Sequence, residues 1–346
     1  MQAANYLEPG KIECRSDATP PEPAAGEVLI AVHSCGICGS DLHMYRNDSL
    51  RHLLVTKTPE GYDVPGHEFA GIITKLGAGV AGYNIGDRVV GIPSGGGGMG
   101  QLVRIPVNAF QLVKMPDAVS FQEAATTEPL ADSMQIVRKA EIKATDNVLI
   151  FGVGIIGLGV IQVIKAQKIS ARRIIAVDIQ DVRLQKALEL GATHTINPLN
   201  GAVFDQVAAI CGRNTHYAGE DASIDVVIDC AGYIAHLNSP APLQEALRLV
   251  VPNTGRIICF GAYEGIVTLD LEYLISKQPT IMGSMGYAPS ELSGALELMR
   301  SGKVDRNTLM SHQFWLDKVQ DAFEAQTKPD AVKVIINIPQ DELAPA

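Results

Sequence analysis

Three short stretches of this 346-residue chain carry side chains that could hold a metal: CGICGSDLH at 35–43, PGHEFAG at 65–71 and TEPLAD at 127–132. They offer a thiol, an imidazole and carboxylates, a mixture suited to zinc when one coordination position stays open for a reacting molecule. Taken singly, each residue has an ordinary account: Cys38 as an inert buried thiol, His67 as a core or surface histidine, Glu128 as a helix-start carboxylate. Their joint occurrence in these motifs favours a metal site. Cys35 and Cys38 form C-x-x-C, which alone reads as a redox pair or half of a zinc knuckle, but no second C-x-x-C completes a four-cysteine site. Cys38 is the favoured ligand of the two.

A second pattern concerns phosphate. Gly152, Gly154 and Gly157 form G-x-G-x-x-G between a strand-like run, VLIF, and a segment of helical length. The first glycine makes the turn, the second lets a pyrophosphate approach the backbone, and the third allows the helix to pack closely on the strand. The helix N-terminus supplies the positive end of its dipole. Asp178 closes the next strand-like run, IIAVD, about 20 residues further on, where a carboxylate accepts ribose hydroxyls and repels a 2′-phosphate. That selects NAD over NADP, although Arg183 is a nearby cation able to meet either the ribose or such a phosphate. The plainer account is that the glycines serve packing alone and Asp178 starts a turn.

These residues need elements to position them. The first 110 or so residues alternate short β-rich runs with Gly and Pro punctuation, which predicts an all-β or barrel-like unit without long helices. From Asn147, apolar runs (VLIFGVG, IIAVD, DVVIDCAG, GRIICFGA) alternate with helical periodicity, the rhythm of a doubly wound parallel sheet. After Gly286 come two amphipathic helical stretches and a final strand-like KVIINI, a tail expected to rejoin the first unit. The predicted division is a metal and substrate domain over 1–129 and 287–346, with a dinucleotide domain over 130–286.

Composition narrows the classes. The chain is 47% hydrophobic and 19% charged, which fits a globular protein and excludes a disordered one. Its formal charge of −10 disfavours nucleic acid as a partner. Six cysteines are too few for a disulfide scaffold in a chain this long, the N-terminal residues show no signal-peptide core, and no stretch reads as a membrane span. A cytoplasmic location is expected.

GICGSDLH, GHEFAG, GDRVV, EPLA, GVGIIG and AVD occur in one order along nearly the whole chain. In that order they resemble the zinc-containing medium-chain dehydrogenase/reductase family, of the alcohol and polyol dehydrogenase type. The resemblance implies a GroES-like, mainly β catalytic domain joined to a Rossmann domain that binds NAD. It implies that Cys38 and His67 are zinc ligands, that Glu128 occupies the third-ligand position, and that Glu68 is an additional or exchanging ligand. Asp41 would orient a ligand histidine. Ser40 would take the proton of the substrate alcohol, and His43 would pass it to solvent through the cofactor ribose. Zinc lowers the pKa of an oxygen it holds, so the alcohol loses its proton near neutral pH while the cofactor takes the hydride. Cys230, Phe260, Gly261 and Ala262 would line the nicotinamide side, with Lys333 a weaker candidate for the pyrophosphate. The substrate would be a small secondary alcohol or polyol and its ketone, and the protein a homo-oligomer. A primary alcohol or aldehyde is the alternative substrate class, and a non-catalytic dinucleotide-binding protein the alternative of another kind.

One departure stands out. Many members of the family carry a lobe with four cysteines after GDRVV that holds a structural zinc, whereas here GDRVVGIPSGGGGMGQLVRIP contains none. One catalytic zinc per chain and no structural zinc are therefore expected, with the glycine run a tight or mobile turn. Tyr45, Arg46, Arg51 and His52 lie in a long 43–67 segment and are candidates for selecting a polar or anionic substrate, against the plainer reading of a solvated loop. A polar insertion at 212–223 reads as a surface loop. His33, His52, His194, His216, His236 and His312 have no comparable context and are expected to be structural or surface residues.

Overall fold

The computed structural model describes residues 1–217, 219–233 and 240–340, so His236 lies outside the described residues. The chain forms two compact units, Met1–Pro129 with Ala288–Ala346, and Leu130–Tyr287.

In the first unit, the central strand Glu27–Gly36 is the organising element. It pairs antiparallel with Glu68–Leu76 along its length, with Leu102–Pro106 near its start and with Lys333–Asn337 at its end. Arg88–Gly91, Leu112–Lys114 and Met310–Trp315 extend the sheet, and a hairpin of Ala3–Glu8 with Lys11–Arg15 stands beside it. Val28, Ile30, Val32, Phe69, Met99, Val334 and Phe323 are apolar and buried in one cluster, the core that a barrel-like unit requires. The tail therefore does contribute the strand Lys333–Asn337 to this sheet.

One helix was not expected from the β-rich texture. Gly39–Asn47 follows the central strand directly, and its sequence, GSDLHMYRN, has only a weak apolar face. Its start is fixed by a side chain instead: the Cys38 N–H donates to Asp41 Oδ2 at 2.9 Å.

The second unit is a six-stranded parallel sheet. Its strands lie in the spatial order His194–Ile196, Arg173–Val177, Asn147–Phe151, Val226–Asp229, Arg256–Cys259 and Thr280–Gly283. This is the 3-2-1-4-5-6 order of a Rossmann fold, with its topological switch beside Asn147–Phe151. The two central strands are buried at every residue, which is why they read as unbroken apolar runs. The insertion at 212–223 is a folded hairpin, Asn214–His216 with Gly219–Asp221, rather than a loose loop. Asp221 anchors it, accepting from His216 Nε2 at 2.9 Å, Asn214 Nδ2 at 3.0 Å and the Ser223 N–H at 2.7 Å.

Candidate active site

The metal motifs converge where the central strand of the first unit ends. Ile37 N–H bonds Val334 O at 3.1 Å, and the chain then turns at Cys38 into the helix Gly39–Asn47. Across the sheet, Glu68 is the first residue of its strand and pairs with Gly36, with His67 just before it. The donor atoms of Cys38, His67 and Glu68 all lie within 4.8 Å of one another.

The loop carrying His67 is held by the glycine run. Gly97, Gly98 and Met99 donate their N–H groups to Val64, Gly66 and Pro65 carbonyls at 2.8, 2.9 and 3.0 Å. Gly66 has φ +92°, and a Cβ there would meet Cys35 Sγ and Met99 Cγ at 2.8 Å. The run is thus buried and bonded, and not the mobile edge its composition suggests: glycine is needed because main chains approach too closely for side chains. Cys35, the other half of C-x-x-C, is buried in the apolar core beneath this loop and is not a member of the donor group.

Charge in this pocket calls for a cation. Burial pushes the Cys38 thiol well above its ordinary pKa, and Glu68 and Glu128 push it further. Burial also raises the Asp41 carboxyl. For His67 burial works downward, but the carboxylates of Asp41, Glu128 and Glu68 outweigh it and its pKa is raised. Glu68 is buried, with Oε2 paired to the Lys333 ammonium, which also donates to Ile37 O at 2.8 Å. Among the described residues nothing hydrogen-bonds to Glu68 Oε1. An orphaned buried carboxylate oxygen beside a thiol and an imidazole fits a zinc ion of S, N and O ligation.

Glu128 lies in the first turn of the helix Thr127–Ala140 and stands outside the group of three, although its charge is felt by both Cys38 and His67. Ser40 and His43 are one turn apart on the helix Gly39–Asn47, hence on one face of it, and both are half-buried. Lys333 sits with its side chain fully buried against Glu68, committed to that carboxylate instead of facing a pyrophosphate. The signal that would have placed it there is its position at the head of an otherwise apolar strand, where a buried lysine requires a carboxylate. Two of the candidate selectivity residues are also structural. Tyr45 is buried, donates to Gly10 O at 3.0 Å and packs on Phe323, while Arg51 pairs with Asp63 at 3.1 Å and stacks over Tyr6. Arg46 and His52 are exposed.

In the second unit, the three glycines have three distinct environments. Gly152 has φ +77°, and a Cβ there would lie 2.7 Å from Ala231 N. A Cβ on Gly157 would lie 2.1 Å from Gly152 O, so the helix Ile155–Ala166 packs directly on the turn. At Gly154, the residue that opens this helix, a Cβ would meet nothing within 4 Å. That is the open space a pyrophosphate needs against bare backbone. Asp178 braces the turn from the next strand, with Oδ2 accepting the Val153 N–H and Oδ1 the Gln180 N–H, both at 2.9 Å. Arg183 is half-buried in the first turn of the following helix, Asp181–Leu190. Cys230, Phe260, Gly261 and Ala262 follow the ends of the strands Val226–Asp229 and Arg256–Cys259. Burial raises the Cys230 thiol well above its ordinary pKa, so it is no ready nucleophile.

Comparison with known proteins identifies the family of both units. The alcohol dehydrogenase GroES-like domain matches residues 24–117, and the zinc-binding dehydrogenase domain matches residues 156–301. Sorbitol dehydrogenase of Bacillus subtilis is 30% identical over 338 residues, covering 90% of each chain. The chain belongs to the zinc-binding dehydrogenase family. Within this family, the crystal structure of 2R,3R-butanediol dehydrogenase from Bacillus subtilis superposes with a TM-score of 0.80 at 28% identity, over 97% of this chain and 99% of that one. An Escherichia coli alcohol dehydrogenase solved with NADH superposes equally well, with a TM-score of 0.80 at 26% identity, over 97% and 99% of the two chains. The protein is a zinc-dependent oxidoreductase of the alcohol and polyol dehydrogenase type, with a GroES-like unit and a Rossmann unit.

Proposed function

We propose that the protein transfers hydride reversibly between a secondary alcohol or polyol and NAD, using one zinc ion per chain. The observation that carries this reading is the group of Cys38, His67 and Glu68, two half-buried donors and one buried carboxylate, with Glu68 Oε1 lacking a hydrogen-bond donor among the described residues. These three residues would hold the zinc. When bound, it supplies a Lewis acid to the substrate oxygen. Glu128, standing outside the group, would act on the site by its charge or through a water. Asp41 would fix the helix that presents Cys38, as its bond to the Cys38 N–H indicates. Ser40 Oγ would accept the alcohol proton and His43 would pass it on, a division of labour suited to two side chains one turn apart. Gly152, Gly154, Gly157, Asp178 and Arg183 would hold the adenosine and pyrophosphate of NAD, and Cys230 and residues 260–262 would border the nicotinamide.

The count of one zinc rests on the cysteine-free 88–106 segment and on its glycine run, whose main-chain bonds already fix the His67 loop. A homo-oligomer is favoured by the sheet edge at Thr280–Gly283, which is exposed along its length and flanked by exposed Met285. A second copy pairing edge to edge would cover it. All six cysteines are free thiols, which suits a reducing cytoplasm, and among the described residues no helix is long and apolar enough to cross a membrane.

Elemental analysis of protein purified without chelator tests the centre of this reading. About one zinc per chain is expected, and Cys38→Ser should empty the site while NADH binding persists. Two zincs would refute the count, and no metal even after reconstitution would remove the roles given to Cys38, His67 and Glu68.

A further inference from the structure

The strand Val226–Asp229 ends in a carboxylate that neither the Cys38, His67 and Glu68 group nor the glycine turn uses. Asp229 is fully buried. Its Oδ1 accepts the N–H groups of Ala231 at 3.0 Å and Gly232 at 2.9 Å, and its Oδ2 accepts the Tyr263 hydroxyl at 2.7 Å. Its main-chain carbonyl takes the N–H groups of Phe260 and Gly261, both at 2.9 Å. One residue therefore gathers donors from two loops that follow adjacent parallel strands. Burying a carboxylate is costly, and burial does raise the pKa of this one; the ring of donors offsets that cost.

The two loops touch main chain to main chain. A Cβ on Gly232 would lie 1.9 Å from Ala262 O, and one on Gly261 would lie 2.0 Å from Gly232 N. Tyr233 N–H bonds Ala262 O at 2.9 Å, and Glu264 N–H returns to Tyr233 O at 2.8 Å. The same pair of loops abuts the phosphate turn, since Cys230 N–H bonds Phe151 O at 2.8 Å and Gly152 has room for no side chain beside Ala231. Ala231 and Ala262 are exposed. Parallel sheets of this order receive their ligand outside these carboxyl ends, next to the phosphate turn.

The structure assigns to Asp229 and Tyr263 the task of positioning the two loops that receive the nicotinamide half of the dinucleotide, a role that rests on the cofactor reading above. Both are positioning residues. Asp229 has no exposed surface and acts only through the loops it ties together. Without the Tyr263 hydroxyl, the second loop loses its side-chain tie to Asp229, and the surface formed by Ala231 and Ala262 loses its fixed spacing.

A latch serving only fold stability makes a different prediction, and ADP-ribose separates the two because it lacks nicotinamide. Tyr263→Phe and Asp229→Asn in the full chain are compared with unmodified protein, with NADH binding followed by fluorescence, ADP-ribose by calorimetry, and melting recorded for each. The expected result is NADH binding weakened about tenfold, the equivalent of about 1.4 kcal/mol, with ADP-ribose held within about twofold. Equal weakening of both ligands, or no weakening of NADH in either variant, overturns the assignment. If unmodified protein binds neither ligand, the cofactor reading fails first and takes this inference with it.

Discussion

Gly154→Ala sets stability and binding against each other at one atom. The added Cβ meets no atom within 4 Å, and Gly154 has φ −76° and ψ −158°, which alanine adopts without strain. Replacing glycine at a compatible position stabilises by about 0.4–1 kcal/mol through the unfolded chain. Alanine is, however, a poorer residue than glycine at the start of a helix, by about 0.5–1 kcal/mol. The two effects nearly cancel, so the melting temperature of the cofactor-free protein should move by no more than about 2 °C. Binding should respond very differently, because the methyl group occupies the space where a pyrophosphate would approach; NADH should weaken by at least about tenfold, or ~1.4 kcal/mol. Gly157→Ala is the contrast. Its Cβ would sit 2.1 Å from Gly152 O, a clash with main chain that side-chain motion does not relieve. Overpacking of this kind costs about 1–3 kcal/mol, which lowers melting by several degrees before any ligand is added. Melting curves without cofactor and NADH titrations of the two variants give the full comparison. Wild-type NADH affinity in Gly154→Ala, or a melting loss as large as that of Gly157→Ala, would refute the reasoning.

Lys333→Met should leave the Glu68 carboxylate buried without its counter-charge, at a cost of about 3–5 kcal/mol in chelator-treated protein. Adding Glu68→Gln to that variant should recover most of the loss in denaturant titrations; a double variant no more stable than the single one would contradict the ion-pair account. Asp178→Ala removes the acceptor for the Val153 N–H and the charge facing a ribose, so NAD should weaken about tenfold while NADP changes less. Steady-state kinetics with both cofactors check this, and unchanged discrimination would remove Asp178 from the ribose.

The two-unit fold class was legible because the second half alternates buried strands and helices, while the first half lacks long periodic helices. Short elements were less legible. His194–Ile196 and Thr280–Gly283 are edge strands of three and four residues, too brief to carry a period. The helix Gly39–Asn47 was hidden for another reason, since its start depends on the bond between Asp41 and the Cys38 backbone and its apolar face is weak. Family resemblance, rather than spacing, gave Cys38, His67 and Glu128 as ligands with Glu68 as an additional one; the fold groups Cys38, His67 and Glu68, and the sequence could not show that Glu128 stands outside that group. Lys333 and Asp229 were missed in their actual surroundings because a buried charge is recognised by what surrounds it in space. In the chain, their partners Glu68 and Tyr263 are far from them or hidden among ordinary turn residues.

The glycine run that looks like filler in the sequence is among the segments least tolerant of added side chains. A Cβ on Gly95 would strike Val55 at 2.5 Å, on Gly96 the Val64 carbonyl at 2.4 Å, on Gly97 Val103 at 2.9 Å and on Gly98 the Gly66 carbonyl at 2.9 Å. Gly96 and Gly97 combine such a contact with positive φ, and Gly96 and Gly98 would strike main chain, so these three positions resist any side chain, whereas at Gly95 the nearest atoms are side-chain ends that can shift. Repetitive composition here records a dense constraint, and an insertion or a single substitution within it would be transmitted through three main-chain bonds to the loop that presents His67.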